Sequence, residues 1–388
     1  MPEDAQRPGL PQNESTATGD WQRLAIVIHS LTGGGSEHVA AAMASHWAEA
    51  GKQVTLLTLD SVDNDQIACS EKVDRVGLDL MGESRGLWSA IVANRQRVRA
   101  LRRAFVQCAP DRVISLTDRT NILTLLAARG TRLRVVVSER TDIRHHRIGR
   151  VWEWLRRRTY PQARAIVVQT EAVLAAVRGL CGQTPVHVIP NAAPSAKAPS
   201  AQAVPVLRLS VDRNWFVAVG RLSLEKGFDR LIHAFVRIAD RCPDWNLVIV
   251  GDGPEKPGLE SLINDAGLED RVLLPGWVES PWSCFPESSV FVLPSRYEGF
   301  PNALLEAMSR GMAPVAFDCE SGPSEIMRPG VDGLLVPEGD VAGLAAAMQQ
   351  LAGDAEYRNR LAVAARSVNE RFSSERVYAQ WEVVLADV

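Results

Sequence analysis

The sequence predicts an α/β protein built from two doubly wound parallel sheets. Three observations carry this. Short Val-, Ile- and Leu-rich runs alternate with helical patterns, as parallel strands covered by helices on both faces would. The alternation runs through residues 21–190, stops, and begins again at 213. The chain has 388 residues, 46% of them hydrophobic and 23% charged, an ordinary globular composition at a length that suits two domains better than one.

In chain order, residues 1–20, "MPEDAQRPGLPQNESTATGD", lack the basic and apolar regions of a signal peptide and read as a disordered leader. The first domain, 21–190, carries the strand runs "LAIVIHS" (24–30), "VTLLTLD" (54–60), "RVISL" (112–116), "RVVVSE" (134–139), "AIVVQT" (165–170) and "VHVIP" (186–190). A linker over 191–212 opens with "NAAPSAKAPSAQAVP", rich in Ala, Pro and Ser and without a period. The second domain, 213–366, repeats the pattern in "WFVAVG" (215–220), "NLVIVG" (246–251), "RVLLPG" (271–276), "SVFVLP" (289–294), "APVAFD" (313–318) and "GLLVP" (333–337). Helices are expected at 229–240 and 302–311, with Asp229 as an N-cap and Pro301 in a first turn. Over 367–388, Val377, Trp381 and Val384 recur at helical spacing, predicting a final helix packed back on the first domain. Two such sheets imply a cleft lined by the loops at the carboxyl ends of their strands.

Composition narrows the function classes. The six cysteines are far apart with no C-x-x-C pair, so they read as reduced thiols rather than a disulfide framework or zinc site. No apolar run approaches the roughly 18 residues of a membrane helix. Residues 1–200 hold 26 basic against 19 acidic side chains, a balance of +7, while 201–388 hold 17 against 27, a balance of −10. Arginines concentrate in "NRQRVRALRRAF" (94–105) and "VWEWLRRRTY" (151–160). The second stretch, with Trp152, Trp154 and Leu155 beside Arg156, Arg157 and Arg158, is either a half-buried helix with a solvated arginine face or an interfacial segment on anionic headgroups. Nothing resembling a nucleic-acid motif accompanies it.

The chemistry concentrates in three loops. In "VAVGRLSLEKGFDRL", Arg221 and Lys226 follow a buried strand and precede a helix, a placement suited to a diphosphate: a planar fork, a point charge and a helix amino terminus. The plain alternative is a loop whose cations face water. In "SRYEGFPNALLEAMSRG" (295–311), Glu298 lies beyond a strand's end and Glu306 sits inside the next helix among apolar neighbours. Both are placed to accept hydrogen bonds from hydroxyls. In "HSLTGGGSEHVAAAM", His38 stands where a dinucleotide fingerprint would have its third glycine, so Asp60 at the next strand end only weakly supports a dehydrogenase. His38 and His29 are open between structural and functional roles.

Four stretches in order carry a resemblance: "GRLSLEKGFDRL", "VIVGDGP", "PSRYEGFPNALLEAMSRGMAPVAF" with its Glu-x7-Glu spacing, and "GPSEIMRPGVDGLLVP". The chain resembles glycosyltransferase family 4, retaining enzymes of the GT-B fold, and within it bacterial transferases of capsule, exopolysaccharide, O-antigen and lipid-linked glycan assembly. The resemblance implies that Arg221 and Lys226 bind the donor diphosphate and stabilise the leaving nucleoside diphosphate. It implies that Glu298 holds sugar hydroxyls and Glu306 ribose hydroxyls. Gly251 and Gly253, with Trp277 nearby, would line the nucleotide side, while Gly34, Gly35, Gly299, Phe300, Asn302 and Ala303 would bring backbone to phosphate or sugar.

Many relatives carry a histidine after the strand matching "RVISL", where this chain reads "TDRTN" (117–121). Asp118 or Arg119 stands there, and Asp118 is taken as the catalytic candidate; "SERTD" (138–142) adds Glu139, Arg140 and Asp142. The implied reaction moves a sugar from a nucleotide donor, UDP-linked, to a lipid-linked saccharide, without a metal because no D-x-D is set at a strand end, and with no cofactor. Attack would come from the front face, with the leaving diphosphate helping to deprotonate the acceptor. The protein would sit in the cytoplasm, its basic half on the anionic inner membrane surface, with no nucleic-acid partner. The rivals are a nucleotide-sugar 2-epimerase of the same fold and a non-catalytic glycan binder.

Overall fold

The computed structural model describes residues 21–82, 86–194, 207, 209–210, 213–278, 281–286 and 288–388. The expected leader and most of the expected linker lie outside the described residues. The first sheet contains β1 (Arg23–Ile28), β2 (Gln53–Thr58), β3 (Asp74–Gly77), β4 (Arg112–Leu116), β5 (Val135–Ser138), β6 (Ala165–Val168) and β7 (Val186–Val188). The second contains β8 (Asn214–Val219), β9 (Trp245–Val250), β10 (Val272–Gly276), β11 (Val290–Leu293), β12 (Ala313–Asp318) and β13 (Leu334–Pro337). Their orders are β3-β2-β1-β4-β5-β6-β7 and β10-β9-β8-β11-β12-β13, with every pair parallel. The predicted fold class, two Rossmann-like sheets, is the one observed.

Helices α1 (Gly35–Glu49), α2 (Leu87–Cys108), α3 (Asp118–Ala128), α4 (Arg150–Thr159) and α5 (Glu171–Arg178) belong to the first sheet's connections. In the second half come α6 (Phe228–Val236), α7 (Lys256–Asp265), α8 (Asn302–Ser309), α9 (Pro323–Ile326), α10 (Val341–Gly353), α11 (Ala355–Ala365), α12 (Val368–Arg371) and α13 (Ser374–Asp387). The last helix crosses to the first sheet. Val377, Tyr378, Trp381, Val384 and Leu385 share one core with Trp21, Leu24 and Trp47, and Arg112 donates from Nε to the Leu385 carbonyl at 2.7 Å.

Strand order decides where a ligand can sit. In the first sheet the order reverses between β1 and β4, and in the second between β8 and β11. The crevice at such a reversal, outside the strands' carboxyl ends, is where open α/β sheets take ligands. The loops of interest follow these four strands.

Four local expectations are corrected. Strand β3 was not anticipated, because "DRVG" at the sheet edge has no apolar alternation to read. Helix α6 begins at Phe228 after Gly227 in the left-handed region (φ 66°) and ends at Val236, so Asp229 lies in its first turn rather than at the N-cap, paired with Arg296 at 2.7 and 2.8 Å. Pro301 is the N-cap of α8 rather than a first-turn residue. In α4, Arg157 and Arg158 are exposed, but Arg156 is completely buried under Tyr160 and does not belong to a solvated or interfacial arginine face.

Candidate functional site

The loop after β8 is shaped by two close approaches. At Gly227 a Cβ would lie 2.1 Å from the Pro294 carbonyl oxygen, and at Gly251 (φ 148°) 1.8 Å from that of Gly220. Only glycine fits either place. The first approach draws the 224–227 turn against the end of β11, and with it Lys226. Its Nζ lies 2.8 and 2.9 Å from the two carboxylate oxygens of Glu298, which also accepts from Ser295 Oγ at 2.7 Å. Glu298 is buried and Lys226 a quarter exposed, so the lysine is the more solvent-accessible partner of the pair. Arg221, at the carboxyl end of β8, is exposed. Gly251 and Gly253 pack their loop against residues 220–222, beside Arg221.

The α8 segment contributes the rest of this lobe. Phe300 buries its ring against Phe372, so only its backbone can address a ligand. The Asn302 N–H is bonded to the Phe300 carbonyl at 2.9 Å, and its side chain to Asn191. Its amide is therefore occupied, while Ala303 stands in the helix's first turn, where N–H groups have no intrahelical acceptor. Glu306 is half-buried, and desolvation pushes its carboxyl above the usual range, opposed by Arg310, His38 and a hydrogen bond from Trp282. A carboxylate held this way gains from any hydroxyl donor brought to it.

The facing lobe closes within contact distance. A Cβ on Gly35 would lie 2.8 Å from Asn302 Nδ2, and one on Gly299 2.6 Å from the Arg140 carbonyl. Trp277, half exposed, sits across from Gly33. The glycine loop itself is organised by Glu37, which sequence reasoning missed. Its carboxylate accepts from the N–H groups of Gly33 and Gly34, from Ser30 and, at 3.0 Å, from His29 Nε2. Burial opposes the charge, but these donors prevail and hold the carboxyl at about 2. The Gly34 amide is thus engaged, leaving the loop's close approach rather than its hydrogen bonds as its contribution. A glutamate three residues after a helix start is a capping-box position, the signal that marks it. His38 bonds the Gly34 carbonyl at 3.1 Å, a helix-start role, and Asp60 accepts locally from Ser61 and Asn64.

At the other reversal, Thr117 follows β4 in the left-handed region (φ 72°), and Asp118 opens α3. Asp118 is buried, its Oδ2 3.1 Å from Nε2 of half-exposed His146. Burial opposes its ionisation, but His146 and the Arg119 N–H together keep the carboxyl below its ordinary range. Arg119 instead lies over the Trp152 ring. Glu139 is fully buried, accepting from Tyr160 and Thr141 at 2.7 and 2.9 Å, and burial raises its carboxyl despite Arg156 nearby. Arg140 bonds Asn191. Asp142 accepts from Arg144 and from Ser321 of the opposite lobe at 2.7 Å, while Glu320 faces Arg144 and His145 at 3.2 Å each. That cluster is filled by arginine, an ion network joining the lobes rather than a cradle for a cation.

The second lobe thus offers Lys226 held by Glu298, exposed Arg221 at the end of β8 and Glu306 on α8, with the first lobe in contact at Gly35 and Gly299. Residues 33–196 match the Glycosyltransferase Family 4 family model, and residues 202–368 that of the glycosyl transferases group 1. The chain belongs to glycosyltransferase family 4. Among curated relatives, this family 4 chain is 35% identical over 231 residues to an exopolysaccharide phosphotransferase of Streptomyces coelicolor, covering 59% of the chain and 24% of that protein. It is 33% identical over 219 residues to the lipopolysaccharide core biosynthesis glycosyltransferase LpsD of Rhizobium meliloti, covering 56% of the chain and 62% of the relative. The match thus spans less than two thirds of either relative's length. Among solved structures, Anabaena HepE in complex with UDP and glucose superposes with a TM-score of 0.74 at 18% identity, covering 95% of this chain and all of that one. That likeness establishes a shared GT-B fold. Among the described residues no helix is long and apolar enough to cross a membrane.

Proposed function

We propose that the protein is a retaining glycosyltransferase that moves a sugar, a hexose or N-acetylhexosamine, from a UDP-linked donor to a lipid-linked saccharide in bacterial surface polysaccharide or glycan assembly. One observation carries the reading: the Lys226–Glu298 pair at the β8/β11 reversal, a partly exposed lysine held by a buried carboxylate. A diphosphate placed against Lys226 and Arg221 gains charge-assisted bonds as the glycosidic bond breaks, when its charge grows most. Glu298 then accepts from the sugar hydroxyls and Glu306 from the ribose. The lobe's cations do this work without a metal, and attack comes from the front face. Relatives named for lipopolysaccharide and exopolysaccharide assembly, and the UDP in the HepE structure, support the donor and acceptor classes.

The basic first lobe supports a cytoplasmic protein docked on the anionic inner membrane face. Val151 and Trp154 are 63% and 55% exposed on α4, flanked by exposed Arg157 and Arg158, an apolar strip among cations. The deciding experiment is a panel of UDP-, GDP- and ADP-linked sugars incubated with purified protein and a crude lipid-linked saccharide fraction, read as nucleoside diphosphate release and label in the lipid fraction. Transfer from one donor is expected. Product from donor alone would mark an epimerase, and no product from any donor would overturn the proposal.

A further inference from the structure

Three polar side chains from three separate elements form a line of hydrogen bonds between the lobes. Arg140 follows β5, Asn191 follows β7 and Asn302 opens α8. Nη1 of Arg140 donates to Asn191 Oδ1, and Asn191 Nδ2 donates to Asn302 Oδ1. Asn302 Nδ2 then points toward the glycine loop of the first lobe, where a Cβ on Gly35 would meet it at 2.8 Å. The line runs beside the donor-lobe carboxylate, because Gly299, the neighbour of Glu298, would put a Cβ 2.6 Å from the Arg140 carbonyl oxygen.

Its polarity is set from the buried end. Arg140 is 7% exposed and, among the described residues, has no carboxylate partner; its other contact is Met43 Sδ at 3.8 Å, and its Nε has none. Burial pushes the guanidinium down to about 10. A cation buried without a counter-ion is costly, and what it supplies here is direction. A guanidinium only donates, so it admits Asn191 with the carbonyl inward and the NH2 outward. Asn191 in turn admits only the carbonyl of Asn302, so the flip of each amide follows from its inner neighbour. Asn302 is left presenting its NH2 group, which meets no acceptor among the described residues. Its backbone N–H is taken by Phe300, so this group is what residue 302 can offer a ligand.

Fixing that polarity matters most for a partner that can only accept. A sugar hydroxyl would satisfy either face of an amide, whereas a phosphate oxygen would meet an inverted amide oxygen to oxygen. Resting on the nucleotide-sugar reading above, we propose that Asn302 Nδ2 donates to a diphosphate oxygen of the bound donor. Arg140 and Asn191 are positioning residues that turn this NH2, rather than the amide carbonyl, toward it. The family resemblance gave residue 302 a backbone role; here the side chain takes it, directed from the opposite lobe.

The test uses the full chain and UDP, or GDP if the donor panel selects it. Asn191→Asp strengthens the inner half of the line and inverts the outer half: the carboxylate pairs with Arg140 and takes the Asn302 NH2 as its other donor, turning the Asn302 carbonyl to the gap. The thermal midpoint is expected at or above the wild-type value, while affinity in calorimetric titration falls about 10-fold or more, the size of one hydrogen bond to a charged group. A purely structural role predicts a better-paired contact between the lobes with affinity unchanged. Asn302→Ala should weaken binding by a similar factor, and adding Asn191→Asp to it should lose nothing further, since no amide remains to invert. Affinity within two-fold of wild type in Asn191→Asp or in Asn302→Ala, or fully additive losses in the double variant, overturns the assignment. Wild-type protein that binds neither nucleoside diphosphate would instead bring down the donor reading, and this inference with it.

Discussion

Replacing Lys226 by alanine separates two costs that the structure allows to be sized. Glu298 is 7% exposed and Lys226 25% exposed, so their pair lies between a surface contact and a buried one. Surface pairs contribute about 0–1 kcal/mol, while stripping one partner from a buried pair costs about 3–5, which places Lys226→Ala at roughly 2 kcal/mol of stability. Ser295 remains on the carboxylate and limits the loss. In a lobe of this size that is a fall in Tm of roughly 4–8 °C, readable by calorimetry. Turnover should suffer more. Losing the main cation on the leaving diphosphate is expected to lower kcat by about 10²-fold or more, equivalent to about 2.7 kcal/mol of transition-state stabilisation. Diphosphate release at saturating donor checks this, with Lys226→Arg as a charge-preserving control. A folded Lys226→Ala variant that turns over at near wild-type rate would refute the electrostatic argument.

Three further predictions concern Glu306 and the arginines of α4. Burial holds the Glu306 carboxyl above its ordinary range, so the stability it contributes is complete below its unfolded value of 4.5 and is lost as pH rises through the folded one. Glu306→Gln should therefore melt higher than wild type above that window in the absence of ligand, and bind nucleoside diphosphate about 10-fold more weakly because a charged acceptor is gone. Tighter binding would contradict the ribose role. Arg156 shares a buried pocket with Glu139, so Arg156→Ala should destabilise by about 3–5 kcal/mol, whereas Arg157→Ala with Arg158→Ala should stay within about 0.5 kcal/mol of wild type. In flotation with anionic vesicles that surface pair, combined with Trp154→Ala, should lose binding; unchanged flotation would remove the membrane-docking surface.

The sequence by itself determined the framework. Twelve strands, their parallel sense and the placement of Arg221, Lys226, Glu298 and Asp118 beyond strand ends follow from apolar runs and helical periods, which are local properties of the chain. It missed β3, whose edge position removes the burial that writes a pattern into residues. Tertiary structure decided what meets what. Lys226 and Glu298 are 72 residues apart, and no local period records that two glycine-tight approaches bring them together. His146 on Asp118, Glu37 inside the glycine loop and Arg156 beneath Tyr160 are of the same kind. An arginine among arginines reads as a surface face until packing turns one of them inward. Periodicity tells which side of an element is buried, whereas charge pairing depends on distances that exist only once the sheets have been wound and the lobes have closed on each other.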